Sequence, residues 1–253
     1  ILFLLRALRR QGIADAVVCG IAGGMVAYTY YSARAIPFII GASLLFALMR
    51  DWRHWRAYLV VGIAIVAAAL LVSAPEVGYY LADPRRLLAR QEERMWLLHM
   101  PDLSRQDPTL TVPKMWASQL DRTLWGFNYH RNDGGFYDPS HAILDPVTGI
   151  LFLLGLAICL RRWADTRYFV LLAWYVVMSF FVSILVLGSP NAARLTGVFP
   201  LLCLLAGIAV QAVWDVFRER SRAQAAMAGL AGFVLVPAMA LASNYETYFQ
   251  RYV

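Results

Sequence analysis

The sequence predicts an all-α protein, a polytopic bundle of transmembrane helices with one large outer loop that carries amphipathic helices. Hydrophobic residues make up 60% of the chain and charged residues only 15%, and the mean hydropathy is +0.56, as is typical of a lipid-embedded chain. About seven apolar segments approach the length that crosses a hydrocarbon core: residues 13–31, 35–49, 57–74, 144–160, 168–188, 195–217 and 224–243.

Arginines mark the orientation of these segments. They cluster in every second connection, at 6–10, 50–56, 161–167 and 218–222, and connections rich in basic residues face the cytoplasm. The turn at 32–34, the loop at 75–143 and the turn at 189–194 then lie outside. Because the basic residues mark topology in this way, the formal net charge of +7 is no reason to expect nucleic acid as a partner.

This topology divides the chain into four parts in a multi-pass protein of the cell membrane. Residues 1–74 form the first membrane helices, 75–143 the extracytoplasmic loop, 144–243 four further membrane helices, and 244–253 the start of an outer tail. The chain begins inside an apolar run without an initiator methionine, so we expect it to be the C-terminal part of a longer protein. Its three cysteines are scattered in apolar segments, and we expect neither a disulfide framework nor a thiolate metal site.

Two helices are expected in the outer loop. Asp83-Pro84 is a start signal for the first, and Thr111–Phe127 forms the second. Apolar residues recur in the second at spacings of three and four, which suits either a helix along the membrane surface or one packed on the protein's own outer face: Trp116, Leu120, Leu124 and Phe127. Asp145-Pro146 is expected to cap the next membrane helix.

Small residues at a spacing of four predict close contact between helices. Gly20 and Gly24 form such a pair in the first membrane segment, and Ala225 and Gly229 form a looser one in the last. Small residues allow two helix backbones to approach each other within a bilayer.

Two isolated arginines in the outer turns are the candidate binding residues. Arg34 and Arg194 each precede an apolar segment, each on the side where arginine is not expected. One interpretation is an interface anchor whose guanidinium reaches lipid headgroups. The other is one shared anion, because the planar fork of arginine suits phosphate, and a phosphate at this surface would belong to a lipid.

The remaining polar residues give weaker signals. Tyr79 and Tyr80 follow Pro75 near the same rim and could contact a sugar or sit in the interfacial aromatic belt. The loop histidines and aspartates lack the tight spacing of a metal-binding helix, so we expect no dedicated metal site: His99, His130, His141, Asp102, Asp133, Asp138 and Asp145.

Four stretches together resemble a known family: YTYYSARAIPF, APEVGYYLADPRRLLARQ, LDPVTGILFLLGL and SPNAARLTGVFPLL. They are similar to membrane glycosyltransferases of the GT-C type in glycosyltransferase family 39, the protein O-mannosyltransferases and aminoarabinose transferases. The resemblance implies inverting transfer of a sugar from a polyprenyl-phosphate donor to an acceptor glycan, lipid or protein at the outer face. It also implies a catalytic carboxylate in a loop upstream of Ile1.

By the same resemblance, Arg34 and Arg194 would bind the donor phosphate as it becomes the leaving group. Tyr31 and Asn191 would add hydrogen bonds, and Tyr79 and Tyr80 would contact the donor or its sugar. No cofactor is certain, and assistance by a divalent cation stays open. Two alternatives remain, a lipid or solute transporter or flippase and a non-catalytic membrane assembly subunit.

Overall fold

The chain folds into α-helices that form two compact units. The computed structural model describes residues 1–29, 34–86, 92–130, 142–189, 191, 194–220, 222–246 and 249, and no β-sheet forms among them. One unit comprises Ile1–Leu98 with Arg162–Phe181, the other His99–Arg161 with Val182–Val253. The helices are α1 Leu2–Arg10, α2 Ile13–Val26, α3 Ile36–Arg50, α4 Trp55–Ala82, α5 Trp96–Gln106, α6 Val112–Trp125, α7 Pro146–Arg161, α8 Thr166–Ser179, α9 Phe199–Arg220, α10 Arg222–Leu230 and α11 Val236–Tyr245.

Three helical stretches are long and apolar enough to cross a membrane: Trp52–Ala82, Thr166–Ile184 and Phe199–Glu219. Helices α2, α3 and α7 are apolar but shorter. The last predicted segment, 224–243, is divided in the structure, because a π-helical stretch at Ala231–Leu235 separates α10 from α11. The prediction of a multi-pass membrane protein is therefore supported by three spans among the described residues.

The first unit is built on close contact between α2 and α4. Gly20 lies against the carbonyl of Ile65, and a Cβ at Gly24 would come within 2.6 Å of the carbonyl oxygen of Ala69. Contacts that advance together along both helices mean that α2 and α4 run in the same direction. The predicted close packing at this pair is confirmed, and α3 returns the chain between two parallel helices, as the alternating topology requires.

Helix α1 is amphipathic and packs its apolar face onto the same helices. Leu4 and Leu8 are buried in a cluster with Ala16 of α2 and Val61 of α4. On its polar side Arg6 forms an ion pair with Asp15 of α2, with 3.1 Å between Nε and Oδ1. This pair holds the two helices together at the end where the sequence predicts the cytoplasm.

Helix α4 continues beyond the predicted membrane segment, through Pro75 to Ala82. Membrane helices accommodate an internal proline because the apolar surroundings favour continued helix. Asp83 follows α4 and also caps the predicted helix start: its carboxylate accepts a hydrogen bond from the backbone N–H of Arg85 and pairs with Arg86 at 3.0 Å, as an N-cap residue does. Residues 85, 86 and 92 are helical, as the sequence predicts, and the next helix of which every residue is described, α5, begins at Trp96.

The second unit centres on α7 and α9. The Asp145 carboxylate accepts hydrogen bonds from the backbone N–H groups of Val147 and Thr148 at 3.1 and 3.0 Å, so the predicted cap of this helix is confirmed. One face of α7, with Phe152 and Gly155, is buried against α9, where the carbonyl of Leu205 occupies the space that a Cβ at Gly155 would need.

Helix α6 confirms the predicted outer-loop helix but buries a different face. Gln119 and Thr123 are only 4% and 3% exposed, whereas Leu120 and Leu124 are 42% and 53% exposed. The polar face is buried because Thr123 hydrogen-bonds to Ser183. Part of the apolar stripe is thus left exposed.

Asp165 caps α8 and provides a pH-dependent contribution to stability. Its carboxylate accepts hydrogen bonds from the backbone N–H and the guanidinium of Arg167, and mainly the guanidinium bond holds the pKa of Asp165 below its ordinary value. The stabilisation is present above the unfolded pKa, about 3.9, and is lost as pH falls through the lowered native pKa.

We expect Asp165→Ala to lower the free energy of unfolding by about 1 kcal/mol at neutral pH. Thermal unfolding in detergent should show the deficit shrinking as the pH falls below about 4, because the stabilisation is lost as the pH falls through the lowered pKa of Asp165 in the folded protein. Asp165→Asn keeps a capping oxygen and should lose less than the alanine variant. A deficit that is constant from pH 7 to pH 3 would contradict a role for the charge.

Candidate functional site

A polar cluster lies where the N-terminal end of α3 meets the C-terminal end of α4. The Arg34 guanidinium donates a hydrogen bond to the hydroxyl of Tyr80 and lies over the Tyr80 ring, 4.8 Å from its centroid. The Tyr80 hydroxyl in turn donates to Oε1 of Glu76 at 3.1 Å. Arg34, Tyr80 and Glu76 form the cluster that we call the rim cluster.

Glu76 is the member that sequence reasoning missed. Pro75 indicated the end of the helix, so Glu76 was assigned to the loop, whereas continuation of α4 places Glu76 and Tyr80 one turn apart on one face. At 1.5 Å per residue, Glu76 lies roughly 30 Å along α4 from Trp55, close to the thickness of a hydrocarbon core. The rim cluster therefore lies at the end of the span opposite Trp55, the end that the sequence predicts to be outside.

The second carboxylate oxygen of Glu76 makes this cluster a candidate binding site. Oε2 is buried and has no hydrogen-bond partner among the residues that the structure describes. A buried acceptor without a donor costs free energy. An incoming hydroxyl or N–H group would remove that cost.

A second arginine and tyrosine lie in the following turn of the chain. Arg86 lies over the ring of Tyr79, 4.5 Å from its centroid, and pairs with Asp83. The rings of Tyr79 and Tyr80 meet edge to face with centroids 5.4 Å apart. The ring of Tyr79 is thus covered by Arg86, which forms an exposed ion pair with Asp83. Arg86 is therefore a suitable control for Arg34.

In the second unit, Arg194 is held by its own turn. Its guanidinium donates to the carbonyl of Leu187 at 2.7 Å, and its backbone N–H lies 3.3 Å from the side-chain oxygen of Asn191. Asn191 also accepts from the backbone N–H of Leu195 through its carbonyl. Asn191 therefore shapes the turn that presents Arg194, and this contact explains its position without a ligand.

Beneath that turn lies a chain of buried hydroxyls. Thr123 and Ser183 are 2.8 Å apart, and Ser183 contacts Ser189. The guanidinium of Arg122 donates to the carbonyl of Ser189 at 3.4 Å. These bonds fix α6 to the turn that carries Arg194, and the side chains of Thr123, Ser183 and Ser189 are almost wholly buried.

The structure brings some predicted site residues together and leaves others apart. Arg34 contacts Tyr80, and Asn191 contacts Arg194. Tyr31 lies outside the described residues. Arg34 belongs to the first unit and Arg194 to the second, so binding of one shared anion by both remains a prediction.

Metal binding gains no new candidate in the described part of the chain. It holds no group of three or more histidine, cysteine, aspartate or glutamate side chains that could bind an ion. His130 pairs with Asp121, and Asp102 pairs with Arg105. His141 and its neighbours Asp133 and Asp138 lie outside the described residues.

Comparison with known proteins leaves the family open. The resemblance to GT-C glycosyltransferases rests on the four quoted stretches alone. Neither the family models nor the curated proteins nor the solved structures contain a match to this chain.

Proposed function

We propose that the chain binds a polyprenyl-phosphate-linked sugar at the outer membrane face and takes part in transfer of that sugar to an acceptor. The observation that carries the proposal is the rim cluster: an arginine fixed on a tyrosine, with a carboxylate one hydrogen bond further on. A glycosyl phosphate joins an anionic group to a ring rich in hydroxyl donors. The cluster provides a cation for the phosphate and a hydrogen-bond acceptor for the hydroxyls of the sugar.

The order of the cluster favours this role over simple anchoring. An arginine that reaches headgroups from the interface uses its long, mobile side chain and needs no fixed partner. Arg34 is instead oriented by the ring and hydroxyl of Tyr80, so less conformational entropy remains to be lost when a phosphate binds. A fixed fork also suits bidentate recognition of phosphate oxygens.

The chemistry requires a cation near the leaving group. In an inverting transfer, an acceptor oxygen forms a bond to the anomeric carbon, while the bond from that carbon to the phosphate oxygen breaks. The lipid phosphate leaves with the electron pair, and the acceptor proton passes to a general base, a role that we assign to none of the described residues. Arg34 would stabilise the charge that develops on the phosphate.

A transporter or flippase is the second candidate, and Glu76 is the residue that bears on it. Ionisable groups within a membrane span often mark a transport pathway. Glu76 lies at the outer end of α4, at a depth suited to a surface site, which favours the transferase. The third candidate, an assembly subunit, requires no ligand at the rim cluster.

Native mass spectrometry of the full-length protein tests the proposal, with a polyprenyl-phosphate sugar offered against ordinary phospholipids. We expect selective retention of the donor to fall at least about tenfold in Arg34→Ala, since a charge-assisted hydrogen bond contributes about 1.5–3 kcal/mol. Arg34→Lys should restore part of it, because charge returns without the fork. Glu76→Gln should reduce selectivity for the sugar.

Arg86→Ala is the matched control, since Arg86 also lies over a tyrosine but pairs with Asp83, and donor retention should survive it. Arg194→Ala tests the second predicted arginine in the same assay. Equal retention of donor and phospholipids by the unmodified protein, or unchanged retention in Arg34→Ala, would make Arg34 an interface anchor.

A further inference from the structure

A recess at the C-terminal end of α6 combines aromatic rings with hydrogen-bonding groups. It has a volume of about 380 Å³ and is lined by Asp121, Trp125, Tyr129 and His130. All four belong to the second unit, and none of them takes part in the rim cluster. Small-molecule sites begin at about 300 Å³, so the recess is large enough for one or two sugar rings.

A hydrogen-bonded turn after α6 positions two of the residues that line the recess. The carbonyl of Trp125 accepts from the backbone N–H groups of Tyr129 and His130, at 2.8 and 3.2 Å. Between them, Phe127 is buried, with its ring centroid 5.5 Å from that of Phe152 in α7. The turn is thus anchored in the core of the unit while its neighbours are displayed outward.

The two aromatic side chains of the recess are exposed and could contact a ligand. Tyr129 is 71% exposed and Trp125 is 43% exposed, and their rings meet edge to face with centroids 5.4 Å apart. Such a pair offers two flat apolar faces with a hydroxyl and an indole N–H at their edges. The C–H face of a sugar ring stacks on such a surface while its hydroxyls stay hydrated.

The polar side of the recess is a preoriented pair. Nε2 of His130 lies 2.8 Å from Oδ2 of Asp121, so the imidazole orients the carboxylate. A carboxylate accepts hydrogen bonds from vicinal hydroxyls, whereas it repels phosphate. A neutral saccharide or an amino sugar fits this charge, and a phospholipid headgroup does not.

The exposed apolar stripe of α6 lies on another side of the helix from Trp125. Leu120 and Leu124 form the exposed apolar stripe, and with roughly 100° per residue, Trp125 lies about 100° to 140° around the helix from them. Trp125 and the exposed apolar stripe therefore lie on different sides of α6. We propose that this recess is a saccharide-binding site on the outer loop, in which a ring stacks on Trp125 and Tyr129 and hydrogen-bonds to Asp121.

This inference does not rest on the proposed function, because it concerns binding of a free saccharide and not transfer from a lipid. Saturation-transfer difference NMR tests it, with the full-length protein in nanodiscs and with mannobiose, cellobiose, chitobiose and glucosamine as probes. We expect saturation transfer to at least one probe. Trp125→Ala should weaken that binding at least about tenfold, as truncation of a central aromatic commonly does, and Trp125→Phe should restore part of it.

Asp121→Asn should weaken binding of hydroxyl-rich probes without unfolding the unit, since the residue is exposed. Leu124→Ala is the matched control: it removes an adjacent, equally exposed side chain of α6 that does not line the recess. Circular dichroism and monodispersity verify the fold of each variant. Absence of transfer to every probe, or transfer that persists in Trp125→Ala, overturns the proposal, and donor-lipid retention is scored separately.

Discussion

Replacing Gly155 by alanine is expected to destabilise the second unit strongly, and replacing it by leucine to prevent its folding. The Cβ would overlap with the carbonyl group of Leu205, and a backbone atom cannot move aside as the end of a side chain can. Phe152 and Cys159 on the same face of α7 are completely buried, so the helices cannot separate locally. Overpacking at such a contact costs about 1–3 kcal/mol and occasionally more.

For Gly155→Ala we expect the midpoint of thermal unfolding in detergent to fall by about 5–10 °C. Gly207→Ala in α9 is the control, because a Cβ there meets no atom within 4 Å and alanine favours helix. That variant should unfold at the same temperature or higher. Equal midpoints for the two variants would show that α7 and α9 do not pack as closely as described.

The second large effect is expected at Gly20, where α2 meets α4. A Cβ at Gly20 would overlap with the carbonyl of Ile65 and approach the Cβ of Ala68 to 2.8 Å. Gly20→Ala should therefore separate the two helices and remove close backbone contacts that stabilise membrane helix pairs. We expect a loss of about 1–3 kcal/mol, measured as a lower midpoint of thermal unfolding.

Gly23→Ala is the matched control in the same helix. The nearest atom to its Cβ, Cδ1 of Ile40, is 3.8 Å away, an ordinary van der Waals contact. The gain in helix propensity should leave this variant as stable as the unmodified protein. Comparable losses in Gly20→Ala and Gly23→Ala would point to a general intolerance of α2 to substitution instead of a specific contact.

The sequence predicted those features that are written in local pattern. Gly20 with Gly24 indicated a close helix pair, and Asp145-Pro146 indicated a capped helix start, because a spacing of four and a capping dipeptide each carry their own physical reason. Gly155 could not be recognised in this way. Its partner is a backbone carbonyl in α9, and the residue type at position 205 does not indicate that the two backbones come close.

The continuation of α4 past Pro75 and the buried face of α6 were not predictable for the same reason: both depend on the residues that are close in space. Pro75 was taken to end a helix that its environment continues to Ala82, and this hid Glu76 from the candidate site. The apolar spacing in α6 does not indicate that Gln119 and Thr123 are buried, because the partner of Thr123 is Ser183, 60 residues away. Hydrogen-bond partners distant in sequence are invisible to periodicity.

Pro75 also divides α4 into two parts, one that packs against α2 and one that forms the rim cluster. A proline has no N–H to donate to the carbonyl four residues before it, so the ladder of helical hydrogen bonds is interrupted at that point. Before it, Ile65 and Ala69 lie against the glycines of α2; after it, Glu76 and Tyr80 form the rim cluster. Substitutions of Glu76 or Tyr80 therefore change the rim cluster without removing a residue that contacts the glycines of α2.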